Sequence, residues 1–327
     1  MKKLLILGGT NFIGRVVVEQ LLLADAYDIT LFNRGKRNAT LFPTVKRIVG
    51  DRETDDHLKI ADSTWDCIID FSGYYPQSFD KMLNALRDKV KRYIFVSTLS
   101  VYDMAALEGS IIDETTDILT CSNEQQTSPL PDAYGEKKAE MERVLNRQAW
   151  LDSIIIRPSF VYGKYDFTDR FYHWLWRGKK QHNVLLPDST LHDFPITEVN
   201  QLSQGILNAI EVAEHSGIYN AVTFSDVTIR KIVESAKPEG STIVYSIANE
   251  VFLKQHGVGQ EQFPLYMPLS VKVDNSKWLA DFRLQTPSTL LNEQTEKYYA
   301  DLNWPEPKAG ISLERERKLL VHLNAPV

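Results

Sequence analysis

The stretch Gly8-Gly9-Thr10-Asn11-Phe12-Ile13-Gly14 decides the fold class of this chain. It directly follows a predicted strand over residues 3–7 and opens a predicted helix over residues 12–23. At such a turn a backbone without bulky Cβ atoms can approach a pyrophosphate, which the free N–H groups and the positive end of the helix stabilise. The sequence therefore predicts a dinucleotide-binding turn. Its candidate contacts are Gly8, Thr10, Asn11, Phe12, Ile13 and Gly14.

Position 11 departs from the spacing Gly-x-x-Gly-x-x-Gly, because the chain has Asn11 where that pattern has glycine. Asn is the residue after glycine that best tolerates a left-handed φ, so the departure weakens the match without cancelling it. The alternative is a glycine turn that binds no ligand. The strand before the turn and the helix after it favour the dinucleotide site.

Residues 2 to about 160 alternate short β-rich apolar runs with amphipathic stretches of helical length. This alternation is typical of a parallel sheet covered on both faces, so we predict an α/β fold with a doubly wound, Rossmann-type sheet. Between residues 103 and 133 the chain is rich in polar residues and proline, which predicts a long surface loop. The predicted strands are 3–7, 28–32, 45–49, 67–71, 92–96 and 153–157, and the predicted helices are 12–23, 78–87 and 134–149.

A change in composition after Arg157-Pro158 marks a second lobe, because eight aromatic residues lie between positions 160 and 176. Their helical spacing favours a core for that lobe, with stacking on a substrate base as the alternative. We predict a dinucleotide-binding domain over residues 1–165, to which the chain returns at 194–223. The smaller mixed α/β substrate lobe then comprises 166–193 and 224–327.

Charge and composition exclude several classes of function. The 327 residues include 37 basic and 43 acidic side chains, a formal net charge of -6, which disfavours nucleic acid and anionic membranes as partners. Apolar runs such as 4–7 are far shorter than the roughly 20 residues of a membrane span or the about 7 to 15 of a signal-peptide core, so we expect a cytoplasmic protein. Cys67 and Cys121 have no partner at metal-ligand spacing, and no metal site is predicted.

The end of the second predicted strand bears on the choice of nicotinamide cofactor. NAD sites usually place an acidic residue about 20 positions after the glycines, to bind the ribose 2'-hydroxyl. Here Phe32 is followed by Asn33-Arg34-Gly35-Lys36-Arg37, with three cations in four residues. A guanidinium can bind a 2'-phosphate through paired hydrogen bonds, so we predict NADP, with NAD as the weaker choice and Asn33, Arg34 and Lys36 as contacts. The alternative is a solvated basic loop.

Tyr134 and Lys138 form a Tyr-x-x-x-Lys pair at the start of a predicted helix, where both side chains share one face. A tyrosine serves as acid or base once its ordinary pKa of about 10 is lowered, which a nearby lysine and an oxidised nicotinamide can achieve. Upstream, a buried strand turns polar at its carboxyl end, where Ser97, Thr98 or Ser100 can place a hydroxyl on the reacting oxygen. The alternative for the pair is a surface tyrosine beside a solvated lysine.

Taken together, these motifs resemble the extended short-chain dehydrogenases/reductases, the NAD-dependent epimerase/dehydratase family. Further markers are Gly50-Asp51-Arg52 and the segment 157–163, Arg-Pro-Ser-Phe-Val-Tyr-Gly. The resemblance implies that Thr98, Tyr134 and Lys138 are catalytic. It also implies that Asp51 and Arg52 border the adenine, Ser72 and Gly73 the phosphate-ribose region, and Pro158 and Ser159 the nicotinamide end.

Within that superfamily the chain looks most similar to an atypical branch, the chloroplast stem-loop RNA-binding proteins and their bacterial relatives. The intact Tyr-x-x-x-Lys pair and a pI near 5.7 disfavour carrying RNA binding across. Cationic clusters at 89–92 and 177–180 support the RNA alternative, but we interpret them as solvated faces.

The leading hypothesis is an NAD(P)-dependent oxidoreductase or epimerase that acts on a carbonyl or alcohol of a small molecule, such as a nucleotide-linked sugar. The alternative is a dinucleotide-binding scaffold without catalysis, or an RNA-associated protein. The sequence leaves the oligomeric state open. A homodimer is one alternative, because two helices of this sheet type commonly pair between subunits. Candidate substrate contacts are Tyr74, Tyr102, Arg170 and His192.

Overall fold

A computed structural model describes residues 1–188, 192–267 and 269–323. The predicted alternation of strands and helices is confirmed, with element ends within a few residues of those expected. In chain order the elements are β1 Lys2–Leu7, α1 Phe12–Ala24, β2 Tyr27–Asn33, β3 Lys46–Val49, α2 Leu58–Ala61, β4 Trp65–Asp70, α3 Pro76–Ala85, β5 Val90–Val96, β6 Ile111–Ile112, α4 Asn123–Thr127, α5 Tyr134–Asn146, β7 Asp152–Pro158, β8 Phe160–Tyr162, α6 Arg170–Lys180, β9 Asn183–Pro187, β10 Phe194–Glu198, α7 Val199–Glu211, β11 Gly217–Ala221, β12 Phe224–Val227, α8 Ile229–Ser235, β13 Val244–Ala248, α9 Glu250–Gln255, β14 Lys272–Val273, α10 Ser276–Asp281, α11 Glu293–Asp301 and α12 Leu313–Leu323.

The large sheet has seven parallel strands in the order β11-β7-β5-β4-β1-β2-β3. The chain runs outward from β1 to β3 and then returns to β4 on the other side of β1. The order therefore reverses between β1 and β4, and their carboxyl ends flank the crevice in which open α/β sheets bind ligands.

The four apolar residues of β1 explain why this strand lies at the centre of the sheet. Leu4 and Ile6 pack in the cluster that contains α1, whereas Leu5 and Leu7 pack in the cluster that contains α3 on the opposite face. Successive side chains of a strand point to opposite faces, so a continuous apolar run suits a sheet covered on both sides. Each fully buried aliphatic side chain of this size contributes roughly 1.5–3 kcal/mol.

The predicted surface loop over 103–133 contains regular structure, which corrects that expectation. Ser122 and Gln125 form a reciprocal capping box that starts the short helix α4. The two residues of β6 pair with β14, so this segment is tied to the second lobe.

The smaller lobe has a mixed sheet in the order β12-β10-β8, a separate β13-β9 pair, and helices that include α6, α8 and α12. Phe171, Tyr172 and Trp174 of α6 are buried in its core, which confirms the core interpretation for these residues, whereas Phe167 is 60% exposed. In the predicted returning segment, β11 extends the large sheet beside β7, while β10 pairs with β8 and β12. Within the described ranges, no helix is both long enough and apolar enough to span a membrane.

Candidate active site

The glycine turn at the carboxyl end of β1 is shaped for close backbone approach. A Cβ atom at Gly14 would lie 2.9 Å from the Cα of Gly9 and 3.0 Å from its nitrogen. Because both neighbours are backbone atoms, neither can move aside, and only glycine lets α1 start this close to β1. A turn with glycines at positions 8, 9 and 14, at the start of a 13-residue helix, fits the pyrophosphate of a dinucleotide.

Asn11 does not need the left-handed conformation that its similarity to glycine suggested. Its φ is -134°, in the extended region, and it is the N-cap residue of α1. The half-buried Phe12 that follows has a φ of 32°. An extended backbone at position 11 explains why the turn tolerates a residue other than glycine there.

The cationic loop after β2 is joined directly to the glycine turn. Asn33 donates from Nδ2 to the carbonyl of Gly8 at 2.9 Å, and its Oδ1 accepts from the Gly35 nitrogen at 3.0 Å. The Thr10 hydroxyl donates to the Arg37 carbonyl at 3.1 Å. Both groups of the Asn33 amide thus hold the loop in place, which is a positioning role rather than the phosphate contact predicted for it.

Arg34 and Lys36 are exposed on this loop beside the turn. The guanidinium of Arg34 lies 3.9 Å from the half-buried carboxylate of Asp51, which follows β3. An ion pair at this distance and exposure contributes little, so both cations can bind another anion.

Arg52, which the resemblance places at the adenine, is held in a buried ion pair. It is 6% exposed and donates from Nη1 to both carboxylate oxygens of Asp70, at 2.7 and 2.8 Å. Burial alone would raise the pKa of Asp70, but the Arg52 charge together with hydrogen bonds from Arg52, Tyr93 and the Ser72 nitrogen lowers that pKa. Asp70 also accepts from the Ser72 nitrogen at 2.8 Å, so the pair supports the turn over Ser72 and Gly73 from beneath.

Tyr134 and Thr98 meet at the carboxyl edge of the large sheet. Thr98 lies two residues past the end of β5 and Tyr134 is the first residue of α5, and the nearby Thr98 side chain acts to lower the pKa of Tyr134. Burial and the nearby Tyr74 raise the pKa of Tyr134 to about 12, against the Thr98 hydrogen bond and the charge of Arg170. The structure thus brings together Thr98, Tyr134, Tyr74 and Arg170.

Gly135 explains how α5 comes so close to the end of β5, and sequence reasoning missed it. A Cβ atom at this position would overlap the carbonyl oxygen of Ser100. Only glycine lets the first turn of α5 pack on the turn that follows Thr98. The available signal was a glycine inside an otherwise regular helical pattern, which usually marks a close approach.

Lys138 is bonded to the backbone at the floor of the site. Its Nζ donates to the carbonyl oxygens of Val96 at 2.7 Å and Gly73 at 3.2 Å. Burial lowers the pKa of Lys138 to about 7. The effect on the pKa of Tyr134 that the resemblance implied for Lys138 is not seen; in the described part of the chain Arg170 is the cation that lowers it.

A buried ion pair behind the site was also missed. Glu142, on the inner face of α5, accepts hydrogen bonds from Arg157 Nη2 and from Ser97 Oγ, each at 2.5 Å. The Ser97 hydroxyl is thereby occupied, so Thr98 is the hydroxyl that meets Tyr134. The sequence signal was an acidic residue four positions after Lys138, on the face that the amphipathic pattern buries.

Tyr102 lies in the interior, which corrects its prediction as a substrate contact. It is 2% exposed, and its hydroxyl contacts the Asp113 carbonyl, the Asn220 side chain and the Arg157 guanidinium. A phenol enclosed by three protein partners does not face the crevice. Tyr74 is 39% exposed and stays at the site.

The remaining predicted contacts lie toward the second lobe. Ser159 follows the buried Pro158, and its hydroxyl donates to the Pro195 carbonyl at 2.6 Å. His192 Nδ1 lies 3.3 Å from the Ser270 hydroxyl, and none of the described contacts joins it to Thr98 or Tyr134.

The two cationic clusters that favoured RNA binding are largely neutralised. Arg92 is 6% exposed and binds Asp152 at 2.7 Å, and the neighbouring Lys91 pairs with Asp66. In the second cluster Arg177 is buried against Glu316, and Lys179 pairs with Glu296.

Comparison with known proteins agrees with this geometry. Solved structures with a similar fold include the UDP-glucuronic acid 4-epimerase of Bacillus cereus in complex with NAD, which is 16% identical with a TM-score of 0.67 over 93% of this chain and 98% of that chain. The ADP-L-glycero-D-manno-heptose-6-epimerase of Helicobacter pylori is 15% identical, with a TM-score of 0.66 over 92% of this chain and 96% of that chain.

A curated relative in sequence is the chloroplast stem-loop binding protein of 41 kDa b from Arabidopsis thaliana. It is 27% identical over an alignment of 227 positions, which covers 64% of this chain and 55% of the relative. The chain thus matches about half the length of that protein. A model of the NAD dependent epimerase/dehydratase family matches residues 4–221, about two thirds of the chain, and the protein belongs to that family.

Proposed function

We propose that the protein is an NADP(H)-dependent oxidoreductase or epimerase that acts on a carbonyl or alcohol group of a nucleotide-linked sugar. The observation that carries this proposal is that Tyr134 and Thr98 lie near each other at the same sheet edge as the glycine turn. The similar folds of two epimerases, whose names specify UDP- and ADP-linked sugars, support the substrate class.

Tyr134 would exchange the proton on the substrate oxygen. With its pKa near 12 the phenol is protonated at neutral pH, so it can donate its proton to a carbonyl oxygen without prior ionisation. Thr98 would orient that oxygen through its own hydroxyl.

In the opposite direction the phenol must act as a base, which requires a lower pKa. Each pKa unit corresponds to about 1.4 kcal/mol, so ionisation near pH 7 needs roughly 7 kcal/mol of phenolate stabilisation. A bound dinucleotide supplies the hydride donor or acceptor and, when oxidised, a positive charge at this site. Arg170 is a cation of the chain whose charge acts to lower the pKa of Tyr134.

The preference for NADP rests on Arg34 and Lys36, the exposed cations beside the glycine turn. Arg34 is only weakly paired with Asp51, and Lys36 is exposed, so both can bind a 2'-phosphate. Asp51, Ser72 and Gly73 would border the rest of the cofactor, with Pro158 and Ser159 at its nicotinamide end. Tyr74 and Arg170 would contact the substrate.

We assign residues 1–165 and 194–223 to the cofactor domain and the rest of the chain to substrate choice. Lys138, whose ammonium bonds the Val96 and Gly73 carbonyls, would hold the crevice floor in the geometry that the cofactor needs. Helices α3 and α5 contact each other on one side of the large sheet. The proposal includes a homodimer that forms through this side of the sheet.

The direct test is fluorescence titration of the full chain with NADPH and with NADH. We expect NADPH to bind at sub-millimolar concentration and more tightly than NADH, and binding of neither would refute the proposal. On any substrate found, Tyr134→Phe should abolish turnover while it retains dinucleotide binding. The matched control is Tyr27→Phe, at a tyrosine whose hydroxyl contacts Glu211 away from the site.

RNA association is the second candidate, and only the name of the chloroplast relative favours it. The paired state of the clusters around Arg92 and Arg177 argues against it. Retention of a stem-loop RNA at physiological salt, with a steep salt dependence, would favour this candidate over the redox proposal.

A further inference from the structure

A short segment of the chain after β8 lies against helix α1; we call residues 164–169 the strap. Lys164 Nζ lies 3.0 Å from one carboxylate oxygen of Glu19, and the Tyr165 hydroxyl donates to the other at 2.8 Å. Arg15 also donates to Glu19 at 3.0 Å, and its guanidinium lies 3.5 Å from the centre of the Tyr165 ring. Glu19 is therefore the point at which the strap is fastened to α1.

Beyond this point the strap reaches the glycine turn. The Phe167 ring packs edge-on against Phe12, the first residue of α1, with ring centres 6.4 Å apart. The Arg37 guanidinium lies 5.9 Å from the same ring. Phe167 is 60% exposed, so burial of its ring in a core does not explain its place. It instead contacts both the turn that fits a pyrophosphate and the loop that fits a 2'-phosphate.

The backbone of the strap is unfavourable without such contacts. Tyr165 has a φ of 70° and Asp169 a φ of 54°, both in the left-handed region that residues with a Cβ rarely adopt. Positions of this kind persist only when surrounding contacts hold them. At Tyr165, the contacts that hold the backbone are those that Lys164, Tyr165 and Arg15 make with Glu19. Their loss should let the strap relax.

We propose that the strap clamps the bound dinucleotide, and that Glu19 is a positioning residue which controls how fast the cofactor leaves. This inference rests on the proposed function, because it requires a dinucleotide at the glycine turn. Phe167 contacts Phe12 of the glycine turn and Arg37 of the cationic loop. A ligand that occupies both the turn and the loop therefore lies beside both of these residues. The strap must then move before the cofactor exchanges with solution, which couples cofactor release to movement of the segment that leads from the cofactor domain into the second lobe.

The test is the dissociation rate of NADPH from the full chain, measured by stopped-flow displacement with excess NADP. Glu19→Gln should raise this rate about tenfold, with a smaller change in the association rate. Phe167→Ala should also raise the dissociation rate. Because the Phe167 ring is largely exposed, this substitution should leave the fold intact. Glu19→Asp should restore part of the slow release.

Glu211→Gln is the matched control, because Glu211 also binds a lysine ammonium and a tyrosine hydroxyl, those of Lys2 and Tyr27. It should leave the dissociation rate unchanged. If Glu19→Gln and Phe167→Ala both release NADPH at the wild-type rate, the clamp is refuted while dinucleotide binding stands. If the wild-type chain binds neither NADPH nor NADH, the proposed function itself is overturned, and the clamp with it.

Discussion

Lys138 donates to the carbonyl oxygen of Val96 at 2.7 Å, so a lysine of the predicted catalytic pair is bonded to the end of strand β5. The ammonium is fully enclosed by the protein, and burial lowers its pKa to about 7. The native state therefore favours the neutral amine, whereas the unfolded chain keeps its ordinary pKa near 10.4. This difference makes the stability of the fold depend on pH.

Between pH 7 and about 10 the unfolded state binds more protons at Lys138 than the native state does. The free energy of unfolding should consequently rise with pH in this window, by about 1.4 kcal/mol per pH unit from this group. Lys138→Met removes this dependence, so denaturant titrations of wild type and variant should diverge as the pH rises. Lys91→Met, at an exposed lysine of the same strand as Val96, controls for loss of a charge. Parallel pH profiles for wild type and Lys138→Met would contradict the prediction.

The buried pair Glu142 and Arg157 should be essential for stability. Glu142→Gln leaves the Arg157 charge in the interior without its partner, which usually costs about 3–5 kcal/mol. Glu140→Gln, on the same helix, breaks only partly exposed pairs and should cost less than about 1 kcal/mol. Equal effects of the two variants in urea titrations would contradict this assignment. The double variant Glu142→Leu with Arg157→Met should recover much of the lost stability.

Arg34 should discriminate between the two dinucleotides. Arg34→Gln removes an exposed cation beside the glycine turn, so the Kd of NADPH should rise about tenfold while that of NADH stays within about twofold. Lys59→Gln removes an exposed cation paired with Asp56 on the neighbouring segment and serves as the control. Equal weakening of both dinucleotides would show that Arg34 shapes the turn instead of binding the 2'-phosphate.

Gly14 should be intolerant of even one added carbon. Gly14→Ala places a Cβ against two backbone atoms of Gly9, so we expect a loss of about 1–3 kcal/mol in stability and weaker binding of both dinucleotides. Gly109→Ala has open space around the added carbon, although its φ of 77° carries some strain. It should therefore leave dinucleotide affinity unchanged. A Gly14→Ala protein with wild-type affinity would remove this turn from the cofactor site.

The sequence alone predicted much of the cofactor half, because local patterns encode it. The apolar run of β1, the glycine turn and the start of α1 are adjacent in the chain, so their periodicity and spacing specify strand, turn and helix together. For the same reason Tyr134 could be placed at the start of a helix and Thr98 at the end of a strand.

Only the tertiary structure decided what each polar side chain contacts. Arg52 and Tyr102 follow strand ends as expected, yet both point inward, because buried Asp70 and Asn220 provide partners that no local pattern reveals. Lys138 is bonded to Val96 and not to Tyr134, because the packing of α5 on the sheet sets the direction of the lysine side chain.

The strap shows the same division most clearly. Glu19 and Tyr165 are 146 positions apart, and nothing in their local sequence links them. Hydrophobic periodicity is a local property that a sequence displays directly. Hydrogen bonds and ion pairs between distant segments depend on how the folded elements pack against one another. The sequence by itself determined the elements of the site, and packing determined their contacts.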